Sequence, residues 1–287
     1  MGLSLLHIKT FGKFSISLPV GLTAYTGYII YDGKLSFEGL LVFVGIFFLS
    51  AGASAINQLQ EKQFDALMTR TANRPLPIGI INTSGAVVLS LLFLLAGTFA
   101  LLPFGFWAIF SGWMGVFWYN LIYTPMKRWS AFSVFPGAVV GAIPPIAGWI
   151  AAGGSIMDAR IHFLALFFFL GQMPHFWLLV LKYGEQYRNA GFPVITDVLS
   201  KEQINRINLV WFLATFISAM FLPFFNVITN RPVIWIVTIS TILMMAWSVR
   251  ITIKLKNENQ NTSLRKMFLY FNTFYLWMII LIYADQI

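Results

Sequence analysis

Apolar stretches of about 20 residues recur along the whole chain, each long enough to cross roughly 30 Å of hydrocarbon. Open strands cannot satisfy their backbone N–H and C=O groups in lipid, so the expected architecture is helical. Composition excludes a water-soluble alternative. Hydrophobic residues make up 58% of the 287 and charged residues 10%, where a soluble surface needs roughly a quarter charged. The absence of cysteine excludes disulfides, thiolate metal sites, iron–sulfur clusters and cysteine nucleophiles.

Hydropathy and helix breakers place nine spans, at 16–31, 38–57, 84–102, 106–123, 133–152, 161–181, 208–228, 232–253 and 268–284. The first is amphipathic, with Tyr25, Tyr28 and Tyr31 along it. With this alternation, 16 of the 19 lysines and arginines fall on one side, leaving Lys34, Arg160 and Arg231 on the other. The positive-inside rule makes the basic side cytoplasmic, with the N-terminus in and the C-terminus out. The same distribution accounts for most of the net charge of +9 without a nucleic-acid partner. The first 15 residues lack the long apolar core of a cleavable signal. A multi-pass protein of a bacterial inner membrane, forming one transmembrane domain over 1–287, is the expectation.

Two connections on the cytoplasmic side, 58–83 and 182–207, are longer and more polar than the rest. Long loops on a compact scaffold tend to carry function. Asn57, Glu61 and Asp65 open the first, four residues apart. If the helix continues through them they form one stripe of oxygen ligands, a set that suits Mg²⁺ with phosphate oxygens and water. Arg70 and Arg74 follow, again four apart, and guanidiniums grip phosphate bidentately. Metal-binding carboxylates followed directly by guanidiniums suggest a diphosphate–metal arrangement. The plainer reading is a solvated helix end with i,i+4 charge pairs.

The second loop is entered through Pro174 and His175 and carries Lys182, Glu185 and Arg188. Pro174 should bend the sixth span and free a carbonyl. His175 could ligate iron, move a proton, or hydrogen-bond inside the bundle. Tyr123, Lys127 and Arg128 close the fourth span, as further phosphate ligands or as an interfacial anchor. The fifth span is rich in small residues and proline, allowing close packing or bordering a cavity.

Several blocks together resemble the UbiA superfamily of intramembrane prenyltransferases, and within it the heme-farnesylating branch. They are Asn57…Glu61…Asp65, Arg70-Thr-Ala-Asn-Arg-Pro-Leu-Pro77, Tyr123-Thr-Pro-Met-Lys-Arg128, Gly141-Ala-Ile-Pro-Pro-Ile-Ala-Gly-Trp149, Met173-Pro-His-Phe-Trp177 and Tyr187-Arg-Asn-Ala-Gly-Phe-Pro193. They stand in the family's order across about residues 50–200. The resemblance implies a nine-helix all-α membrane bundle with farnesyl diphosphate and heme b as substrates. It also implies Mg²⁺ held by Asn57, Glu61, Asp65 and Glu185. Arg70, Arg74, Lys127, Arg128, Lys182 and Tyr123 would bind the diphosphate, with Asn57, Glu61, Asp65, Arg70 and Arg74 as the catalytic set. His175 would contact heme, and association with heme A synthase or a terminal-oxidase assembly would follow. One departure stands out: the family usually has an acidic residue where this chain has Gln186, leaving Glu185 as the only carboxylate of that pair. Two other classes fit less well. A UbiA-type enzyme acting on an aromatic quinone precursor would share the diphosphate site. A transporter would carry ionisable residues at midplane, whereas these span interiors are nearly free of charge.

Overall fold

The computed structural model describes residues 4–254 and 260–286; Lys256, counted above on the cytoplasmic side, lies outside them. Its elements in chain order are α1 (Leu5–Phe11), α2 (Phe14–Asp32), α3 (Phe37–Gln60), α4 (Lys62–Leu67), α5 (Thr83–Leu101), α6 (Gly105–Phe117), α7 (Thr124–Met126), α8 (Val134–Ala151), α9 (Ala159–Asn189), α10 (Lys201–Phe221), α11 (Arg231–Lys254) and α12 (Gln260–Asp285). No strand occurs among the described residues. By length and hydropathy seven helices among them can cross a membrane, and one of these is a 44-residue stretch, Thr83–Met126. That stretch folds back on itself. Gly105, at φ 80°, breaks it after Pro103, and Trp113 donates its indole N–H to Thr98 Oγ1 at 3.0 Å. In one straight helix those residues would lie about 22 Å apart. The protein is a multi-pass helical membrane protein.

Helix starts are set by local chemistry. Ser36, Asn82, Asp158 and Ser200 each cap a helix N-terminus with a side-chain oxygen, satisfying donors the helix leaves free. Close packing sets the helix order. At Gly27 an added Cβ would stand 1.9 Å from the Pro145 carbonyl oxygen, and at Gly148 1.7 Å from that of Ala24. Backbone therefore meets backbone between α2 and α8, the approach that small residues permit in membranes. Tyr31, Trp149 and Arg160 pack together at one end, the Arg160 guanidinium 4.7 Å from the Trp149 ring. The polar side chains described below gather at the other.

Two expected loops are more helical than their polarity suggested. α9 runs 31 residues unbroken through Pro174 to Asn189, about 46 Å at 1.5 Å per residue, so Lys182, Glu185 and Gln186 ride a helix that outruns the hydrocarbon. No residue between 182 and 189 breaks it; Gly191, at φ 86°, turns the chain after it. The first loop likewise begins with helix, through Gln60 and again over Lys62–Leu67. Residues Trp118–Tyr123 form a π-helical turn. Pro125, which has no N–H to give Leu121, follows two residues after it, and such widened turns concentrate at functional sites.

Candidate active site

The end of α3 builds the acidic stripe. The Glu61 N–H donates to the Asn57 carbonyl at 2.9 Å and the Asp65 N–H to the Glu61 carbonyl at 2.8 Å. Helical hydrogen bonding thus links all three residues across the break between α3 and α4. Asn57, Glu61 and Asp65 are 1%, 5% and 1% exposed. Buried charge is costly unless paired, and each member of the stripe has a cation.

Those cations come from three segments, two of them distant in the chain. Lys127 Nζ stands 2.5 Å from Glu61 Oε1, and Arg74 Nη1 2.6 Å from Asp65 Oδ2. Lys13 Nζ donates to Asn57 Oδ1 at 2.7 Å, while Asn57 Nδ2 donates to Thr124 Oγ1 at 3.1 Å. Thr124 in turn donates to the Tyr119 carbonyl across the π turn. Burial would push the Glu61 carboxyl up, but Lys127, Lys13 and the Asn57 amide together bring it below its ordinary value. The Lys13 ammonium is lowered to about 7 by burial and by the positive charges of Arg74 and Lys127, against the opposing pull of Glu61 and Asp65.

Sequence reasoning missed Lys13 as a site residue, counting it only among membrane-flanking cations. It lies 44 residues from Asn57 and its neighbours carry no motif. Its backbone supplies a second clue: Lys13 is left-handed at φ 47°, a strain that non-glycine residues adopt where the surroundings demand it. The adjacent backbone is clasped as well, since Gln58 Nε2 donates to the carbonyls of Thr10 and Phe11.

Arg74 reaches Asp65 because residues 68–74 form a tight turn, with Thr71 Oγ1 donating to the Asp65 carbonyl at 2.8 Å. The same turn docks on the end of α9. Gln186 Oε1 accepts from the Arg70 backbone N–H at 3.1 Å, and Arg70 Nη2 donates to the Tyr187 hydroxyl at 2.9 Å. Phe64 and Phe192 meet below at 4.7 Å between ring centroids. Gln186, the departure from the family pattern, thus joins the two loops through an amide contact that an acceptor oxygen suffices to make.

The remaining expected residues divide. The Tyr123 ring lies 5.0 Å from Lys127 Nζ and belongs to the cluster. Exposed Arg128 donates to the Gln60 carbonyl and covers the Phe64 ring at 5.0 Å, at the rim. Lys182 is exposed beside Tyr183. Glu185 is exposed on α9 and stands in none of the four ion pairs found among the described residues. His175 is turned elsewhere, its ring 4.7 Å from that of Phe268 on α12.

Below the cluster an apolar cavity of about 580 Å³ opens between α2, α3, α6 and α8. Ile16, Leu49, Ser54, Gly115, Ile143 and Tyr119 are among its lining. Tyr119 stands at its polar end, its ring 5.5 Å from that of Tyr123. The fifth span therefore both packs closely and borders a cavity.

The donor set fits a hard divalent cation. Among the described residues no three His, Asp or Glu side chains gather closely enough to hold a metal unaided. Two carboxylates and an amide oxygen leave the other positions to phosphate oxygens and water, as Mg²⁺ prefers. Glu61 Oε1, although ion-paired, has no aligned hydrogen-bond donor, and Gln60 Oε1 is buried without one. A cation satisfies such oxygens.

A buried acidic stripe ringed by cations thus stands over an apolar cavity. Residues 20–272 match the UbiA prenyltransferase family, and the chain belongs to it. The fold is shared with a UbiA homolog from Aeropyrum pernix K1 (TM-score 0.76, 16% identity, 95% of this chain and 97% of that one). It is shared too with a UbiA homolog from Archaeoglobus fulgidus bound to GPP and Mg²⁺ (TM-score 0.69, 15% identity, 98% and 99%). Among its relatives is the protoheme IX farnesyltransferase of Geobacter sulfurreducens, 34% identical over 80% of this chain and 85% of that protein. The Bdellovibrio bacteriovorus enzyme of the same name is 36% identical over 68% of each.

Proposed function

We propose that this chain transfers the farnesyl group of farnesyl diphosphate to a vinyl group of heme b, with addition of water, giving heme O and diphosphate. The observation that carries the reading is the position of the Asn57–Glu61–Asp65 stripe, with Lys13, Lys127 and Arg74, at the mouth of an apolar cavity. The acceptor is taken from the relatives named protoheme IX farnesyltransferase.

Asn57, Glu61 and Asp65 would hold Mg²⁺, joined by Glu185 if the end of α9 moves inward on binding. Bound there, the ion neutralises charge on the leaving diphosphate. Arg70, Arg74 and Lys127 donate hydrogen bonds to diphosphate oxygens as the C1–O bond breaks, stabilisation that counts most in a water-poor site. Arg128 and Lys182 add charge at the rim. The apolar cavity holds the isoprenoid and keeps water from the allylic cation. The terminal vinyl carbon gives its electron pair to C1, and water adds to the benzylic-type cation left beside the ring. The proton from that water leaves for solvent.

In this reading the chain is a single catalytic domain that crosses a bacterial inner membrane nine times. The hairpin at Gly105 and the tyrosine-lined α2 bring the seven long apolar helices to that number. The N-terminus and polar end are cytoplasmic, following the asymmetry of basic residues. The apolar product stays in the bilayer, where heme A synthase or a terminal-oxidase assembly would receive it.

Purified protein incubated with heme b, farnesyl diphosphate and Mg²⁺ should give a hydroxyethylfarnesyl heme by mass spectrometry, absent from Asp65→Ala. Transfer to an aromatic acid instead of heme would sink the acceptor and keep the diphosphate site.

A further inference from the structure

A second cavity of about 630 Å³ lies at the polar end of the bundle, between the start of α8, the inner half of α9 and the 192–195 segment. It shares Lys127, Tyr123 and Tyr187 with the cluster around Glu61 and Arg70. Tyr123 and Tyr119, 5.5 Å apart, line the second and first cavities respectively, so one pair of neighbouring rings borders both spaces beside Lys127. Joining two substrates requires their reacting carbons within about 3.5 Å, and this ring pair, next to the leaving-group site, is bordered by both cavities.

Building on the heme reading above, we propose that this second cavity is the porphyrin acceptor site, with a vinyl edge at Tyr123 and Lys127. Its walls, mostly apolar and aromatic, suit a flat apolar ring. Phe176 lies 5.7 Å from Tyr123, and Gly137 admits both rings, since a Cβ there would sit 2.8 Å from Tyr123 and 3.1 Å from Phe176. Phe192 and Val180 line it too, and Lys127 is its charged residue. The propionates of heme project from the edge opposite the vinyls, toward the rim. Lys182, three residues past the lining Leu179 and so on the same helix face, is an exposed cation there. His175 faces α12, not this cavity, so the site holds heme without it.

The test is heme b titration at the Soret band on nanodisc-held protein, with empty discs subtracted. Calorimetry with Mg²⁺ and farnesyl thiolodiphosphate runs alongside. Val180→Trp and Ala131→Trp fill the cavity from two sides. Each should weaken heme binding at least tenfold while prenyl affinity stays within twofold, and His175→Gln should bind heme like the wild type. Unchanged heme affinity in both filled variants would overturn the assignment, as would loss of heme binding in His175→Gln. If Val180→Trp also loses prenyl binding through misfolding, Ala131→Trp, in the partly exposed 127–133 turn, decides. A wild type that binds no heme would overturn the acceptor reading and this site together.

Discussion

Lys127 and Glu61 form an ion pair whose side chains are 15% and 7% exposed, so the energetics of buried rather than surface pairs apply. Lys127→Met leaves a buried carboxylate facing an apolar side chain. Breaking such a pair costs about 3–5 kcal/mol, and Lys13, which also draws on Glu61, puts the value near the lower end, about 3 kcal/mol. For a chain of this size that is a fall of roughly 6–12 °C in the substrate-free thermal midpoint. Glu61→Gln should cost a similar amount by leaving the ammonium without its carboxylate. The double variant removes both charges and should recover most of the loss, giving a coupling energy of about 2 kcal/mol or more. Activity should behave differently. Each single variant should lose about 10²–10³-fold in kcat, the usual effect of removing one donor to a developing anion, and the double variant should regain none of it. Mg²⁺ should also shrink the stability deficit of Glu61→Gln less than that of Lys127→Met, which keeps the carboxylate. The assay is thermal unfolding in detergent with and without Mg²⁺, paired with turnover. Additive stability losses in the double variant, or recovered activity, would refute the reasoning.

Gly115 lines the cavity proposed to hold the isoprenoid, and a Cβ there would meet only Ile143, at 3.5 Å. Gly115→Leu should therefore fold, and competition between geranyl and farnesyl diphosphate should shift toward the shorter chain by tenfold or more. Gly148→Val, which drives a side chain into the Ala24 carbonyl, should abolish recovery of monodisperse protein in size-exclusion chromatography; a normal yield would mean that α2 and α8 do not touch there. With the Lys13 ammonium held near 7 against an ordinary 10.5, the unfolded chain binds more protons between those values, so substrate-free stability should rise with pH across that window. Lys13→Met should remove that component of the rise; matching pH profiles in thermal unfolding would rule it out.

The sequence alone determined the class of fold, because a bilayer leaves an apolar 20-residue stretch little choice but a helix. The span expected at 133–152 became Val134–Ala151 because the solvent, rather than the packing, sets such boundaries. The acidic stripe was legible for the same local reason: four-residue spacing on a helix fixes a face whatever surrounds it. Polar loops were harder to read. The 182–189 stretch is polar enough for a loop yet continues α9, since polarity reports exposure to water and not backbone conformation. Only the tertiary structure decided which cation meets which acid. Lys13, Arg74 and Lys127 are equally basic on paper, and the partners of Asn57 and Glu61 lie 44 and 66 residues away. The same holds for His175, whose motif drew it toward the chemistry while the helix turned it to α12. Chain order carries no information about side-chain encounters that depend on how helices rotate and pack, and in this bundle glycine-mediated backbone contacts such as Gly27 against Pro145 help set that rotation.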